Sequence, residues 1–149
     1  MESVVAAGAG FLLAVLWFDL MFDVQVLRHP GSELPEAALA SITGYYRRVT
    51  TEARPMNRLI AAVMAATLVA IATQLIRDDA PRWVSAVSAA AAVVPIGLAL
   101  ARTVPNAIRL GTRKDSVAQQ SALARSVCRD HLLCATSIAV LLVTQLVWA

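Results

Sequence analysis

The chain has 149 residues, of which 58% are hydrophobic and 15% charged, and its mean hydropathy of +0.66 lies outside the range of soluble domains. That argues against a water-soluble hydrolase or nucleotide enzyme, and no glycine-rich phosphate loop, paired CxxC, HExxH or GxSxG motif is present. The formal net charge of +3 requires no nucleic acid, because arginines beside anionic lipid account for it.

A helix rising about 1.5 Å per residue needs about 20 apolar residues to cross a hydrocarbon core of about 30 Å. Four stretches come close to that length: 4–27, 57–76, 83–101 and 132–148. A soluble bundle of alanine-rich helices would carry a polar face along each helix, which these four lack. The predicted fold is therefore all-α, an integral membrane four-helix bundle forming a single transmembrane domain over 1–149, with an additional amphipathic cytoplasmic helix or helical extension.

In the first span every residue from Ser3 to Leu16 is apolar or small, and "WFDLMFDVQVLRHP" then places Asp19 and Asp23 one helical turn apart. The start "MESVV" has no basic n-region, so this span is expected to stay in the mature protein and not to be cleaved as a signal peptide. Residues 28–56 are too many for a bare turn. Within 35–54, Leu39, Ile42, Tyr45 or Tyr46, Val49 and Ala53 recur at helical spacing with Arg47, Arg48 and Glu52 between them. This predicts an amphipathic helix, broken before the second span at Pro55.

Between the second and third spans, "RDDAPR" offers Asp78 or Asp79 as a cap and Pro81 in the first turn of the next helix. After the third span, "TVPNAIRLGTRKD" reads as a short helix or turn around Pro105 and Gly111. The "SVAQ" that follows fits a capping box, so the last helix is expected to begin near Ser116 and to carry Val117, Ala124, Val127 and His131 as a stripe. Small residues at four-residue spacing favour close helix approach: Ala6, Gly10 and Ala14, then Ala62, Ala66 and Ala70, then Gly97 and Ala101. They serve packing within one bundle or, alternatively, a homodimer face.

Eleven of the thirteen Lys and Arg residues, among them Arg28, Arg47, Arg48, Arg54, Arg58, Arg102, Arg109, Arg113 and Lys114, flank the first and third connections. Only Arg77 and Arg82 lie in the middle loop. The positive-inside rule then puts both termini outside and connections 28–56 and 102–131 in the cytoplasm. Trp83 and Trp148 agree, falling at the opposite ends of their spans where an aromatic belt is expected. The high Ala and Arg content with a single Lys suits a GC-rich bacterial genome, and hence a bacterial plasma membrane.

Counting rises along each helix brings Asp19, Asp23, Arg58, Arg102 and His131 to one level, joined by Asn57, Asn106, Gln25, Arg129 and Cys128. A carboxylate facing lipid costs a few kcal/mol, so Asp19 is expected to point inward and pair with Arg58, Arg102 or His131. Leu12, Val15 and Leu16 continue the face of Asp19 and Asp23 upward. The implied shape is a cavity with an apolar roof and a charged floor, with His131 and Asp19 as candidate catalytic groups. Asp23, Arg58, Arg102, Asn106 and Asn57 are the candidate ligand contacts. The same charges also fit two blander roles, fixing helix register in a non-enzymatic complex subunit or passing protons or ions in a coupled transporter.

Cys128, His131 and Cys134 are soft metal ligands in type. Two cysteines six residues apart on a helix lie about 120° apart around its axis, however, and buried cysteine commonly serves as a small apolar residue. No metal is assigned, a disulfide between them is disfavoured, and His29 reads as an interfacial loop residue.

The four spans, "YYRRVTTEARPMNRL" leading into the second, "VPNAIRL" after the third and "RDHLLCATS" entering the fourth together resemble the anthrone-oxygenase-like family of small four-helix membrane proteins. By that resemblance His131 matches the histidine near the start of the last helix, and Asn106 the asparagine after a proline. Val127 stands where the family has a tryptophan. The resemblance implies oxidation of polycyclic anthrones to quinones by molecular oxygen with no metal or flavin cofactor. In that chemistry His131 or Asp19 would be the base, and Arg102 or Arg58 would stabilise the anion. The expected partners are thus membrane lipid and a lipophilic small molecule.

Overall fold

A computed structural model describes all 149 residues, the side chain of Arg54 excepted. Helix α1 (Glu2–Asp23) runs into a 3-10 turn over Val24–Arg28. Helix α2 (Glu36–Arg47) leads through a π turn (Arg48–Glu52) into α3 (Arg54–Arg77). Helix α4 (Arg82–Leu98) continues through a second π turn (Ala99–Thr103) into α5 (Val104–Thr112), and α6 (Val117–Trp148) closes the chain. The fold is all-α, and Glu2–Arg28, Pro55–Arg77, Arg82–Thr112 and Val117–Trp148 are each long and apolar enough to cross a membrane.

The helices extend further than the apolar runs alone. Residues 102–112 do not form a separate connection but prolong α4 past Pro95, whose missing N–H and the π turn after it bend the helix without ending it. Ser116 accepts from the Gln119 N–H while Gln119 reaches back to the Ser116 backbone, the capping box expected at the start of α6. The loop between α3 and α4 departs from expectation. Asp78 ends α3 in the left-handed conformation at φ 52°, and Pro81 precedes α4 as its N-cap without entering the first turn. An aspartate tolerates the left-handed region better than most residues, so it terminates one helix and does not cap the next.

Helix α1 packs on α6 and α3, and α4 packs on α6 and α3, which closes the four-helix bundle. Helices α2 and α5 pack on each other across the end opposite the termini. The close approach in the bundle falls on Gly8, where a Cβ would lie 2.2 Å from Thr67 Oγ1. Gly10 and Gly97, expected in that role, would meet nothing within 4 Å: Gly97 is exposed, and Gly10 borders an open crevice between α1 and α6. A second close approach is Gly111 of α5, where a Cβ would lie 2.9 Å from the Arg47 backbone nitrogen.

Two apolar clusters follow from this arrangement. One, with Val5, Ala9, Leu12, Ile71, Ile138 and Leu141, fills the bundle. The other, with Leu39, Ile42, Tyr46, Leu110 and Val127, joins α2, α5 and α6. Buried polar groups near the termini satisfy one another, as lipid demands: Gln74 donates to Gln145 Oε1 at 3.0 Å, and Gln145 donates to Ser88 Oγ at 2.8 Å. Arg125 donates to the carbonyls of Val26, His29 and Gly31, and Ser121 accepts from the Leu34 N–H. These bonds tie the segment between α1 and α2 to α6 and so set the position of α2.

Candidate functional site

Asp19 and Asp23 lie one turn apart on the inner face of α1, and Tyr45 and Tyr46 lie side by side on α2. Adjacent helix positions diverge by about 100°, so neighbouring phenols can reach carboxylates on successive turns. Tyr45 donates to Asp19 Oδ1 at 2.7 Å and Tyr46 to Asp23 Oδ1 at 2.6 Å. Phe22 stacks on Tyr45 with ring centroids 4.1 Å apart, which fixes that phenol in place.

His131 of α6 lies between the two acids. Its Nδ1 is 2.6 Å from Asp23 Oδ2 and its Nε2 is 3.9 Å from Asp19 Oδ2. Asp23 is fully buried. With Tyr46 donating to one of its oxygens, its carboxylate takes a second donor on the other, which puts a hydrogen on Nδ1 and leaves Nε2 to face Asp19. Burial first, and then the neighbouring carboxylates, push both phenols above the ordinary tyrosine range, so Tyr45 and Tyr46 are held as neutral donors.

Above this polar group lies a cavity of about 460 Å³. Leu12, Val15, Leu16, Ile60, Met64 and Ile138 line its apolar part, and Asp19, Tyr45, Tyr46 and His131 its polar end. Phe18, Met56, Leu100, Val104 and Ile108 also line it and are exposed on the outer surface, so the mouth is apolar. A volume in the range of small-molecule sites, mostly apolar with a few convergent polar groups, is the usual form of a ligand pocket.

The structure brings together some of the candidate residues and separates others. Asp19 and His131 line the cavity, with Leu12, Val15 and Leu16 as its roof. Asp23 does not reach the cavity wall and instead holds His131 from behind. Asn57 stands at the rim and donates to the Val49 carbonyl at 2.8 Å. Asn106 is half-buried on α5, outside the cavity lining.

Neither arginine pairs with Asp19. Arg102 forms a two-pronged ion pair with Asp130, which also accepts from Thr103 at 3.2 Å. Asp130 precedes His131 and so points about 100° away around α6, which draws the guanidinium off the cavity. Arg58 is exposed on the outside of α3. An arginine acting on an anion inside the cavity is therefore corrected by the geometry. The two sulfurs also part company, with Cys128 buried in the cluster shared with α2 and α5 and Cys134 donating weakly to the Pro95 carbonyl at 3.7 Å.

Three side chains that shape the polar end are not legible as such from the sequence. Tyr45 and Tyr46 counted only as members of an apolar stripe, although two adjacent phenols matched to two acids one turn apart were the available signal. Asp130, inside "RDHLLC", is a buried acid that the helical stripe through His131 does not single out. No protein family, curated protein or solved structure matches the chain.

Proposed function

We propose that the chain is an acid–base site for a lipophilic small molecule, in which His131 Nε2 takes a proton from a ligand held in the cavity. The observation that supports this most directly is the line Tyr46–Asp23–His131, with a buried carboxylate on one ring nitrogen and the other ring nitrogen left beside Asp19 at the polar end of an apolar cavity. Asp23 orients the ring and neutralises the imidazolium that forms. Leu12, Leu16 and Met64 provide the apolar walls against which fused rings would pack.

The resemblance to anthrone oxygenases suggests the reaction. Removing a proton from the central methylene of an anthrone breaks one C–H bond and leaves a delocalised anion next to imidazolium. One molecule of oxygen then accepts the electrons and bonds to that carbon; loss of the second C–H proton and cleavage of the O–O bond leave one oxygen atom as the new carbonyl and the other in water, which takes up both methylene protons. With Arg102 engaged by Asp130, the positive charge nearest the anion is the His131 imidazolium itself. The distribution of arginines supports a reading in which this end of the bundle lies at the cytoplasmic face of a bacterial plasma membrane, with both termini outside.

A proton or ion conduit, the rival reading, would have to cross the apolar cluster of Leu12, Ile71, Ile138 and Leu141 that separates the polar group from Gln74 and Gln145. That layer favours a site with one polar end. The deciding experiment supplies anthrone to the protein in lipid nanodiscs and measures oxygen uptake and anthraquinone by chromatography. His131→Gln is expected to lose about 100-fold or more of the turnover while remaining folded by circular dichroism and gel filtration. Wild-type rates in that variant would overturn the reading.

A further inference from the structure

The polar end of the cavity presents one acid, a histidine and neutral donors, and the arginines of the same level are directed elsewhere. Asp19 lines it, with Asp23 directly behind His131. Arg102 is committed to Asp130, and Arg58 faces outward from α3. With both carboxylates ionised and the ring fully protonated, negative charge still exceeds positive. The apolar walls leave little water to screen it, so an anion entering from outside meets net repulsion, whereas one formed inside by proton transfer to His131 arises with the imidazolium beside it. Phosphate and carboxylate sites are built the other way, with forked arginines or free backbone N–H groups.

We propose that the cavity selects its ligand by charge, admitting aromatic lipophiles whose polar group is an uncharged or cationic hydrogen donor and rejecting carboxylate and phosphate amphiphiles, with Asp19 as the determinant. This rests on the cavity being a ligand site, as argued above, and extends it to the class of ligand. Asp19 is suited to the role because Tyr45 occupies only its Oδ1, and Oδ2 remains to accept from an incoming group. The selection has a use. The mouth is apolar and exposed at Phe18, Met56, Leu100 and Val104, which lie on the surface that lipid would cover, so the commonest molecules there would be anionic and zwitterionic amphiphiles.

Three fluorescent probes that share an anthracene skeleton and differ only at the central ring test the proposal: anthracenylmethanol, anthracenylmethylamine and anthracene carboxylate. Each is titrated by fluorescence anisotropy into the protein in phosphatidylcholine nanodiscs, with empty discs as the partition blank. The alcohol and the amine are expected to bind at least about tenfold more tightly than the carboxylate. Asp19→Asn should narrow the gap between amine and carboxylate, chiefly by weakening the amine. Carboxylate binding as tight as the alcohol's in the unmodified protein would overturn charge selection while the cavity stands, a result that does not depend on the variant folding. Binding of none of the three above the blank would overturn both the cavity reading and this proposal.

Discussion

Asp23 and His131 are 108 residues apart in sequence and share a 2.6 Å hydrogen bond, Nδ1 to Oδ2, with Asp23 wholly buried. The carboxylate can only accept, so it sets which ring nitrogen faces the cavity. Asp23→Asn replaces an acceptor-only group with one that can donate. On the proposed acid–base reading it is expected to reduce turnover by about 100-fold or more through the wrong tautomer, as in other carboxylate–histidine pairs. The melting temperature should fall by much less than for Asp23→Ala, which strands the Tyr46 hydroxyl and the ring N–H together. Parallel thermal melts and turnover assays separate the two effects, and equal loss of fold in both variants would make the pair purely structural.

Tyr45 and Tyr46 are the only tyrosines in the chain, so alkaline ultraviolet titration reads this site alone. Burial and the adjacent carboxylates hold both phenols above their ordinary range. The folded state therefore keeps its phenolic protons where an unfolded chain would lose them. Sign follows from this: the stabilisation is fully present below about pH 10, the unfolded value, and is lost as pH rises beyond it. Tyrosinate absorbance is expected to appear together with loss of helical circular dichroism, not ahead of it. A reversible tyrosinate signal near pH 10 in the folded protein would show the phenols free of Asp19 and Asp23.

Tyr46→Phe and Tyr45→Phe should differ. Tyr46 is 2% exposed and its loss removes a donor from a fully buried carboxylate, which costs about 1.5–3 kcal/mol for a bond to a charged group. Tyr45 is half-buried and its partner Asp19 is less enclosed, so the second variant should cost under about 1 kcal/mol. Thermal or chemical unfolding in detergent measures both.

Gly111→Ala places a methyl against the backbone of Tyr46 and Arg47, atoms that can move only if α2 and α5 separate. The expected cost is about 1–3 kcal/mol, with a loss of ligand binding because Tyr46 shifts with that backbone. Gly8→Ala meets the Thr67 hydroxyl, a side-chain atom that can rotate, and should be milder and leave binding intact. Melting curves and probe titrations of the pair check both statements.

Arg102→Ala leaves Asp130, 1% exposed, with only Thr103 as a donor. The melting temperature should fall, because the buried carboxylate loses its charged partner, with the effect moderated by solvent around the exposed guanidinium. Arg58→Ala should be close to neutral in both stability and turnover. A large effect of Arg58→Ala on turnover alone would return an arginine to the mechanism.

Much of the architecture is written in hydropathy and helical period. Runs of apolar residues near membrane length specify four helices, and "SVAQ" specifies where the last begins, because both signals are local. The same period puts Leu12, Val15, Leu16 and Asp19 on one face, and the cost of a bare carboxylate in hydrocarbon turns that face inward, toward His131 at matching depth. Period and depth say nothing, however, of which helix lies next to which. Whether Arg102 meets Asp19 or Asp130, whether Gly8 or Gly10 takes the close approach, and whether Tyr45 and Tyr46 serve as filler or as donors to two acids depend on azimuth and on the path of α2 over the bundle. Those are set by packing among segments up to a hundred residues apart. The chain by itself determined an inward-facing acid and its histidine, and only the tertiary structure decided which groups complete the site.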